Sequence, residues 1–201
     1  FRKDPRAHIH IEDGRNYMLT HEDKYDVIVS EPSNHWIAGV ANLYSQDYFK
    51  IAAGRLNKGG IYCQWLQFYS MAPESLSMIL ATFQSVFPDT HLILVLGDLF
   101  LVGSKTPIKI DAKEIARRFD ENGLDKSLAS INSNYTGLGL AAAHYVAGPD
   151  EVRRLSALGT ANTDNHPFLE FAAPFEFFSS VKQRGRTQKR TARSAARHAA
   201  R

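Results

Sequence analysis

The sequence predicts an α/β domain with a mostly parallel sheet that ends in an antiparallel hairpin. Short apolar, β-branched runs alternate with segments of helical spacing, which is the order expected of strands joined by crossover helices. The run from Tyr25 to Ser30 is apolar without alternation, as in a strand buried on both faces of a parallel sheet. The apolar fraction of 44% is sufficient for a packed core.

The first half of the chain contains most of this alternation. We expect a strand at 7–11, a turn at 12–15, a helix at 16–20, a strand at 25–30, a helix at 46–56, a strand at 61–66 and a helix that Pro73 opens and Pro88 ends. Gly59-Gly60 is expected to end the second of these helices. Since successive strands are separated by helices, they are expected to run in the same direction.

The second half begins with a hairpin signal. Residues 91–96 and 99–102 are strand-like and are joined by Gly97-Asp98, so they are expected to pair antiparallel. Asp111 and Glu114 form a capping box for a helix that reaches about Phe119. Residues 124–148 are less periodic, and Pro149 begins a short helix that continues to about residue 158.

The positive charge is concentrated at the end of the chain. The net charge is +3, yet residues 182–201 contain eight of the 24 Lys and Arg residues and no acid. The rest of the chain has 16 basic against 21 acidic residues, so its composition indicates no nucleic-acid surface on the globular part. We expect a domain at 1–178 and a basic, disordered tail at 179–201. Arginines spaced by three or four in this tail would form one basic stripe if helical.

Two acids follow predicted strands. Asp13 comes just after the strand at 7–11, and Glu31 comes just after the strand at 25–30. Ligands of open α/β sheets bind outside the carboxyl ends of the strands, so the two carboxylates are expected on one rim.

Five segments carry a resemblance to a known family. HIEDGRNYM, YDVIVSEPSN, LYSQDYF and LNKGGIYCQW occur in that order, and NTDNHPFLEFAAP follows near the end. The chain resembles the C-terminal portion of spermidine/spermine synthases, in particular the bacterial spermidine-synthase-like branch. The resemblance implies a Rossmann-like, methyltransferase-type fold whose N-terminal part is missing from this chain, together with the glycine-rich loop that cradles the cosubstrate.

The same resemblance implies the activity. Family members transfer an aminopropyl group to an amine such as putrescine, with decarboxylated S-adenosylmethionine as cosubstrate and no tightly bound cofactor. The partners implied are a small-molecule amine, a second copy in a homodimer and a membrane segment in a longer parent protein. The implied location is the bacterial cytoplasm, or the cytoplasmic side of a membrane if the parent is attached to one.

Residue roles follow the motifs. Asp13 and Gly14 match the Asp-Gly pair whose carboxylate accepts from the adenine amino group. Glu31 stands where the family has the catalytic Asp that takes a proton from the attacking amine. Asn34 stands where a second Asp holds the polyamine, and Gln64 lies near the family's glutamine at the end of the next strand.

Two departures leave alternatives open. The family usually has Asp-Ser-Ser-Asp-Pro, whereas this chain has Glu31-Pro32-Ser33-Asn34-His35. Asn34 lacks the charge that would pair with a cationic amine, which favours transfer of a methyl group from S-adenosylmethionine instead. The absent glycine loop favours a third interpretation, a non-catalytic protein that acts through interactions.

Two further patterns carry little weight. Residues 136–142 contain G-x-G-x-x-A, but no apolar strand precedes them as a dinucleotide site requires. His8 and His10 share one face of the predicted strand without a matching Cys or carboxylate, so no metal site is predicted.

Overall fold

A computed structural model describes residues 4–131, 142–180 and 182. The described helices are α1 (Gly14–Thr20), α2 (Gln46–Gly54), α3 (Pro73–Gln84), α4 (Ala112–Glu121), α5 (Leu124–Ile131), α6 (Pro149–Leu155) and α7 (168–180), with a short 3-10 helix at Val40–Tyr44. The strands are β1 (Tyr25–Ser30), β2 (Leu56–Gln67), β3 (Asp89–Val95), β4 (Asp98–Ser104) and β5 (Tyr145–Ala147).

The five strands form one sheet in the order β1-β2-β4-β3-β5. β1 and β2 are parallel, and β4 lies antiparallel between β2 and β3, so β1, β2 and β3 point the same way. β5 pairs antiparallel with β3. The predicted α/β class and the β3-β4 hairpin are confirmed. The hairpin turn is Leu96-Gly97, where both residues have positive φ, the backbone that a two-residue turn between twisted strands requires.

The start of the chain differs from the prediction. Residues 7–11 form no strand, and among the described residues no strand lies beside them to accept backbone hydrogen bonds. The expectation that β1 is buried on both faces is also wrong for the described residues, since Val27 and Val29 are 57% and 66% exposed. Ile28, on the opposite face, packs against the core.

β2 is longer than predicted. It starts at Leu56 rather than Ile61, so Gly59 and Gly60 lie inside the strand instead of ending a helix. The pairing of β1 with β2 shifts register between Tyr25 and Val27, which gives a bulge on β2 at the glycines. α2 therefore ends at Gly54, and the next residues turn directly into the sheet.

An aromatic cluster forms the core between the sheet and helices α2 and α3. Phe49, Tyr62, Phe83 and Phe87 are fully buried, and the rings of Tyr62 and Phe87 stack with centroids 5.1 Å apart. Gly103 of β4 lies against this cluster, and a Cβ there would be 2.5 Å from a ring carbon of Phe83. Core packing thus requires glycine at this position of the hairpin.

The end of the described chain contains an element that the sequence patterns did not indicate. α7 covers 168–180 although Pro174 lies inside it, and a proline within a segment argues against helix. Leu169 and Ala173 of α7 are buried in the core. The domain boundary predicted at 178/179 stays a prediction. The G-x-G-x-x-A motif at 136–142 lies outside the described residues except for residue 142. The arginine stripe beyond 182 also lies outside them.

Candidate functional site

A cleft of about 460 Å³ lies where α1 faces the end of β1. Asp13 and Gly14 at the start of α1 line one side of it, and Glu31, the residue after β1, lines the other. The structure therefore brings together three of the five residues that the sequence nominated. Tyr48 of α2 and Arg15 also line the cleft, and sequence reasoning did not nominate them.

Asp13 caps helix α1. One carboxylate oxygen accepts from the backbone N–H of Asn16 at 2.8 Å, as expected of a residue just before a helix. The other oxygen has no hydrogen bond among the described residues, and the side chain is exposed to the cleft. The cap fixes the direction of the carboxylate, and the second oxygen remains able to accept from a ligand.

Glu31 begins the loop that follows β1, residues 31–39, here called the acceptor loop. Its side chain is exposed and makes no hydrogen bond or ion pair with described residues. A carboxylate held at a cleft without an internal partner can accept a proton or pair with a cationic ligand.

The acceptor loop is anchored from within by His35. This residue is 1% exposed, and its ring makes edge contacts with the rings of Trp36 and Tyr44 at 5.1 and 6.3 Å between centroids. Its Nδ1 has no hydrogen-bond partner among the described residues. Burial lowers the pKa of His35 to about 4, so the ring is neutral at physiological pH.

The other two nominated residues lie elsewhere. Asn34 belongs to the acceptor loop but does not line the cleft, and its carbonyl accepts from the N–H of Ile37 at 3.0 Å. Gln64 is fully buried on the core face of β2. Its amide oxygen accepts from the Tyr62 hydroxyl at 2.6 Å, and its amide nitrogen donates to the Trp65 carbonyl at 3.2 Å.

Acids near the C-terminus hold the rim of the site together. Asp164 forms an ion pair with Arg15 and accepts from the Ser45 hydroxyl at 2.7 Å. The Arg15 guanidinium holds the pKa of Asp164 below its usual range. This pair ties α1, which carries one wall of the cleft, to the start of α2.

Helix α7 holds the acceptor loop directly. Glu170 accepts from the backbone N–H of Gly39 at 2.8 Å, at a residue whose φ of +83° suits glycine. The ring of Phe177 stacks on Trp36 at 4.2 Å between centroids. These contacts cross more than 130 residues of sequence. The sequence feature that could have indicated these contacts is the presence of two acids, Glu170 and Glu176, in the otherwise apolar stretch 168–178.

Helix α7 also caps α3. Ala72 precedes α3 and provides no side-chain cap. The Glu176 carboxylate replaces it, since it accepts from the Ala72 N–H at 2.9 Å and from the Ser75 hydroxyl at 2.6 Å. The loops after β1 and β2 are therefore both bound to α7.

Comparison with known proteins gives the family. The spermine/spermidine synthase domain matches residues 2–113, which is more than half of the chain. The chain is 30% identical over 148 residues to a polyamine aminopropyltransferase of Pyrobaculum islandicum, in an alignment that covers 68% of this chain and 50% of the relative. The chain thus spans about half the length of the curated relatives it matches.

Solved structures agree on the fold. A probable spermidine synthase from Corynebacterium glutamicum superposes with a TM-score of 0.53 at 20% identity, covering 80% of this chain and 55% of that one. A spermidine synthase in complex with the transition-state analogue AdoDATO gives 0.51 at 19% identity, covering 78% and 51%. The fold of the chain is Rossmann-like, as predicted.

Two features are absent from the described residues. No described helix is long and apolar enough to cross a membrane. Within 4–131, 142–180 and 182, no group of three or more His, Cys, Asp or Glu side chains could hold a metal ion.

Proposed function

Since the chain belongs to the spermine/spermidine synthase family, we propose that the cleft between α1 and β1 is part of an aminopropyl-transfer site. The cosubstrate is decarboxylated S-adenosylmethionine, and the acceptor is a small-molecule amine such as putrescine. The observation that carries the proposal is that Asp13, Gly14 and Glu31 line one cleft. One carboxylate can then bind the nucleoside while the other faces the reacting amine.

The chemistry needs few groups from the protein. The neutral amine nitrogen attacks the carbon beside the sulfonium, the new C–N bond forms, the C–S bond breaks, and methylthioadenosine leaves. Glu31 takes the proton that the amine loses, which is general-base catalysis. The sulfonium is already an activated leaving group, so orientation of the two substrates contributes much of the rate.

Binding roles are divided between the two sides of the cleft. The free oxygen of Asp13 accepts from the adenine amino group, and Gly14 lets the nucleoside approach the backbone closely. Asn34 lies in the acceptor loop but outside the cleft lining, so a role in holding the amine requires the loop to bring its side chain to the cleft. A role for Gln64 requires its amide to leave the hydrogen bonds with Tyr62 and Trp65.

The proposal extends to the setting of the enzyme. It locates the site in the bacterial cytoplasm, or on the cytoplasmic side of a membrane-attached parent. Pairing of two copies in a homodimer stays a prediction.

The matched substitutions Glu31→Gln and Glu22→Gln test the base. Both remove an exposed carboxylate, but Glu22 does not line the cleft. With decarboxylated S-adenosylmethionine and putrescine, Glu31→Gln should lower kcat/KM by about 10²–10⁴, and Glu22→Gln should keep wild-type activity. Equal activity of all three proteins would refute the assignment of Glu31.

Nucleoside binding is a separate measurement. Calorimetry with methylthioadenosine should show that Asp13→Asn binds at least about tenfold more weakly than wild type, because a hydrogen bond to a charged acceptor is lost. Glu31→Gln should bind methylthioadenosine as wild type does. Unchanged binding by Asp13→Asn would contradict the adenine contact.

Methyl transfer is the second candidate, and Asn34 favours it. An amide supplies no negative charge for a second ammonium group, so a site with one carboxylate suits a smaller or less charged acceptor. Formation of S-adenosylhomocysteine from S-adenosylmethionine, with no methylthioadenosine from the decarboxylated cosubstrate, would replace the first candidate by the second.

A further inference from the structure

The outer face of helix α7 consists of phenylalanine. Among residues 168–180, the exposed positions are Phe168, Phe171, Phe175 and Phe178, at 51%, 75%, 74% and 67% exposure. Their spacing of three, four and three residues places them on one side of the helix, here called the Phe stripe. The stripe exposes roughly 500 Å² of ring surface, which is as large as the interaction patches of soluble proteins.

The opposite face of α7 explains why the stripe cannot turn inward. Leu169 and Ala173 are buried in the core, and Glu170 and Glu176 bind the loops after β1 and β2. These contacts fix the rotation of the helix about its axis. The Phe stripe is therefore held outward by the contacts that shape the site, and it is available to a partner.

Charge narrows the choice of partner. The sequence that follows the stripe, 182–201, carries eight Lys and Arg residues and no acid, whereas the rest of the chain has more acids than bases. The two acids of α7 are engaged on its inner face. A partner must offer an apolar phase to the phenylalanines and negative charge to the basic sequence that follows them.

We propose that the Phe stripe and the basic segment dock the protein on an anionic lipid surface. The rings enter the boundary between headgroups and acyl chains, while the Lys and Arg side chains attract anionic headgroups. The acidic remainder of the chain is repelled by the same surface, so the orientation is fixed with α7 toward the lipid. A second copy of the chain does not offer this negative charge next to its own stripe, because the sequence that follows the stripe is basic in both copies.

Vesicle flotation tests the proposal with the full chain. Wild type should float with vesicles of phosphatidylcholine and phosphatidylglycerol and should bind phosphatidylcholine alone much more weakly. The double substitution Phe171→Ser/Phe175→Ser should lower the partition coefficient at least about tenfold, since two exposed rings are lost. Deletion of 183–201 should also lower it, and binding by the deletion variant should be insensitive to salt.

Leu158→Ser is the matched control, because Leu158 is a 95% exposed apolar residue outside α7. It should bind as wild type does. Thermal unfolding followed by circular dichroism should show the same Tm for the double variant and the wild type, because substitutions of exposed side chains change stability little. Wild-type partitioning by the double variant would overturn the proposal. So would a wild-type dimer in light scattering that the double substitution dissociates without any vesicle binding, which would assign the stripe to a second copy.

Discussion

His35 should make the stability of the protein depend on pH between about 4 and 6.5. It belongs to the acceptor loop and is buried, and burial lowers its pKa from the usual value near 6.5 to about 4. The unfolded chain binds a proton in this interval that the folded chain does not bind. The stabilisation from a neutral His35 is therefore complete above about pH 6.5 and is lost as the pH falls to about 4.

The size of the effect follows from the shift. Each pKa unit corresponds to about 1.4 kcal/mol, so acidification over this interval should cost about 3 kcal/mol of unfolding free energy from His35 alone. His35→Phe keeps an aromatic ring beside Trp36 and Tyr44 but removes the titrating group. Its unfolding free energy should fall less than that of wild type over the same interval.

Urea unfolding at a series of pH values measures this difference. His8→Phe is the control, because it replaces an exposed histidine and should keep the wild-type slope. If His35→Phe and wild type lose the same free energy between neutral pH and about pH 4, the neutral buried histidine is not the cause and the reasoning is wrong. Equal slopes of unfolding free energy against pH for His35→Phe and His8→Phe would have the same meaning.

Three other perturbations follow from the packing. Gly103→Ala should lower the unfolding free energy by about 1–3 kcal/mol through overpacking, whereas Gly54→Ala, with no atom within 4 Å of the new Cβ, should raise it by up to about 1 kcal/mol in denaturant titrations. Asp164→Asn should lower Tm by about 2–4 °C at neutral pH. The difference in Tm should disappear as acid protonates Asp164 in the wild type. The pKa of Asp164 is lowered in the folded state, so its ionised carboxylate stabilises the fold at neutral pH and this contribution is lost as the pH falls through that pKa. Phe177→Leu removes the stack on Trp36 and should change tryptophan fluorescence and weaken amine binding while methylthioadenosine still binds; Phe178→Leu, on the exposed face, should do neither.

Local signals in the sequence predicted most elements of the fold. Helices and the hairpin are determined by signals that lie within a few residues of chain: proline and glycine positions, the Asp111 cap and the spacing of apolar residues. These elements can therefore be recognised without the rest of the structure. The shared rim of Asp13 and Glu31 was predicted from the rule that parallel strands end on one side of a sheet. Both residues line one cleft, but Asp13 lies there as the cap of α1, because residues 7–11 form no strand.

Features that depend on distant packing could not be predicted in this way. Val27 and Val29 are exposed because nothing among the described residues covers their face of β1. An apolar run of this kind can occur in a strand that is covered on one face or on both, so the sequence does not distinguish the two. α7 forms in spite of Pro174 because its inner face packs on the core and its acids bind loops far away in sequence. Tertiary contacts there outweigh a local preference against helix.

Helix α7 links the site to whatever occupies its outer face. Its inner residues Glu170 and Phe177 hold the acceptor loop, and its outer phenylalanines are exposed. A ligand that binds the outer face stabilises the folded helix relative to states in which it detaches. The acceptor loop keeps its anchors while α7 is attached and loses them when α7 detaches. Under the two proposals above, docking and binding of the amine would be linked through one helix, and by reciprocity each would favour the other.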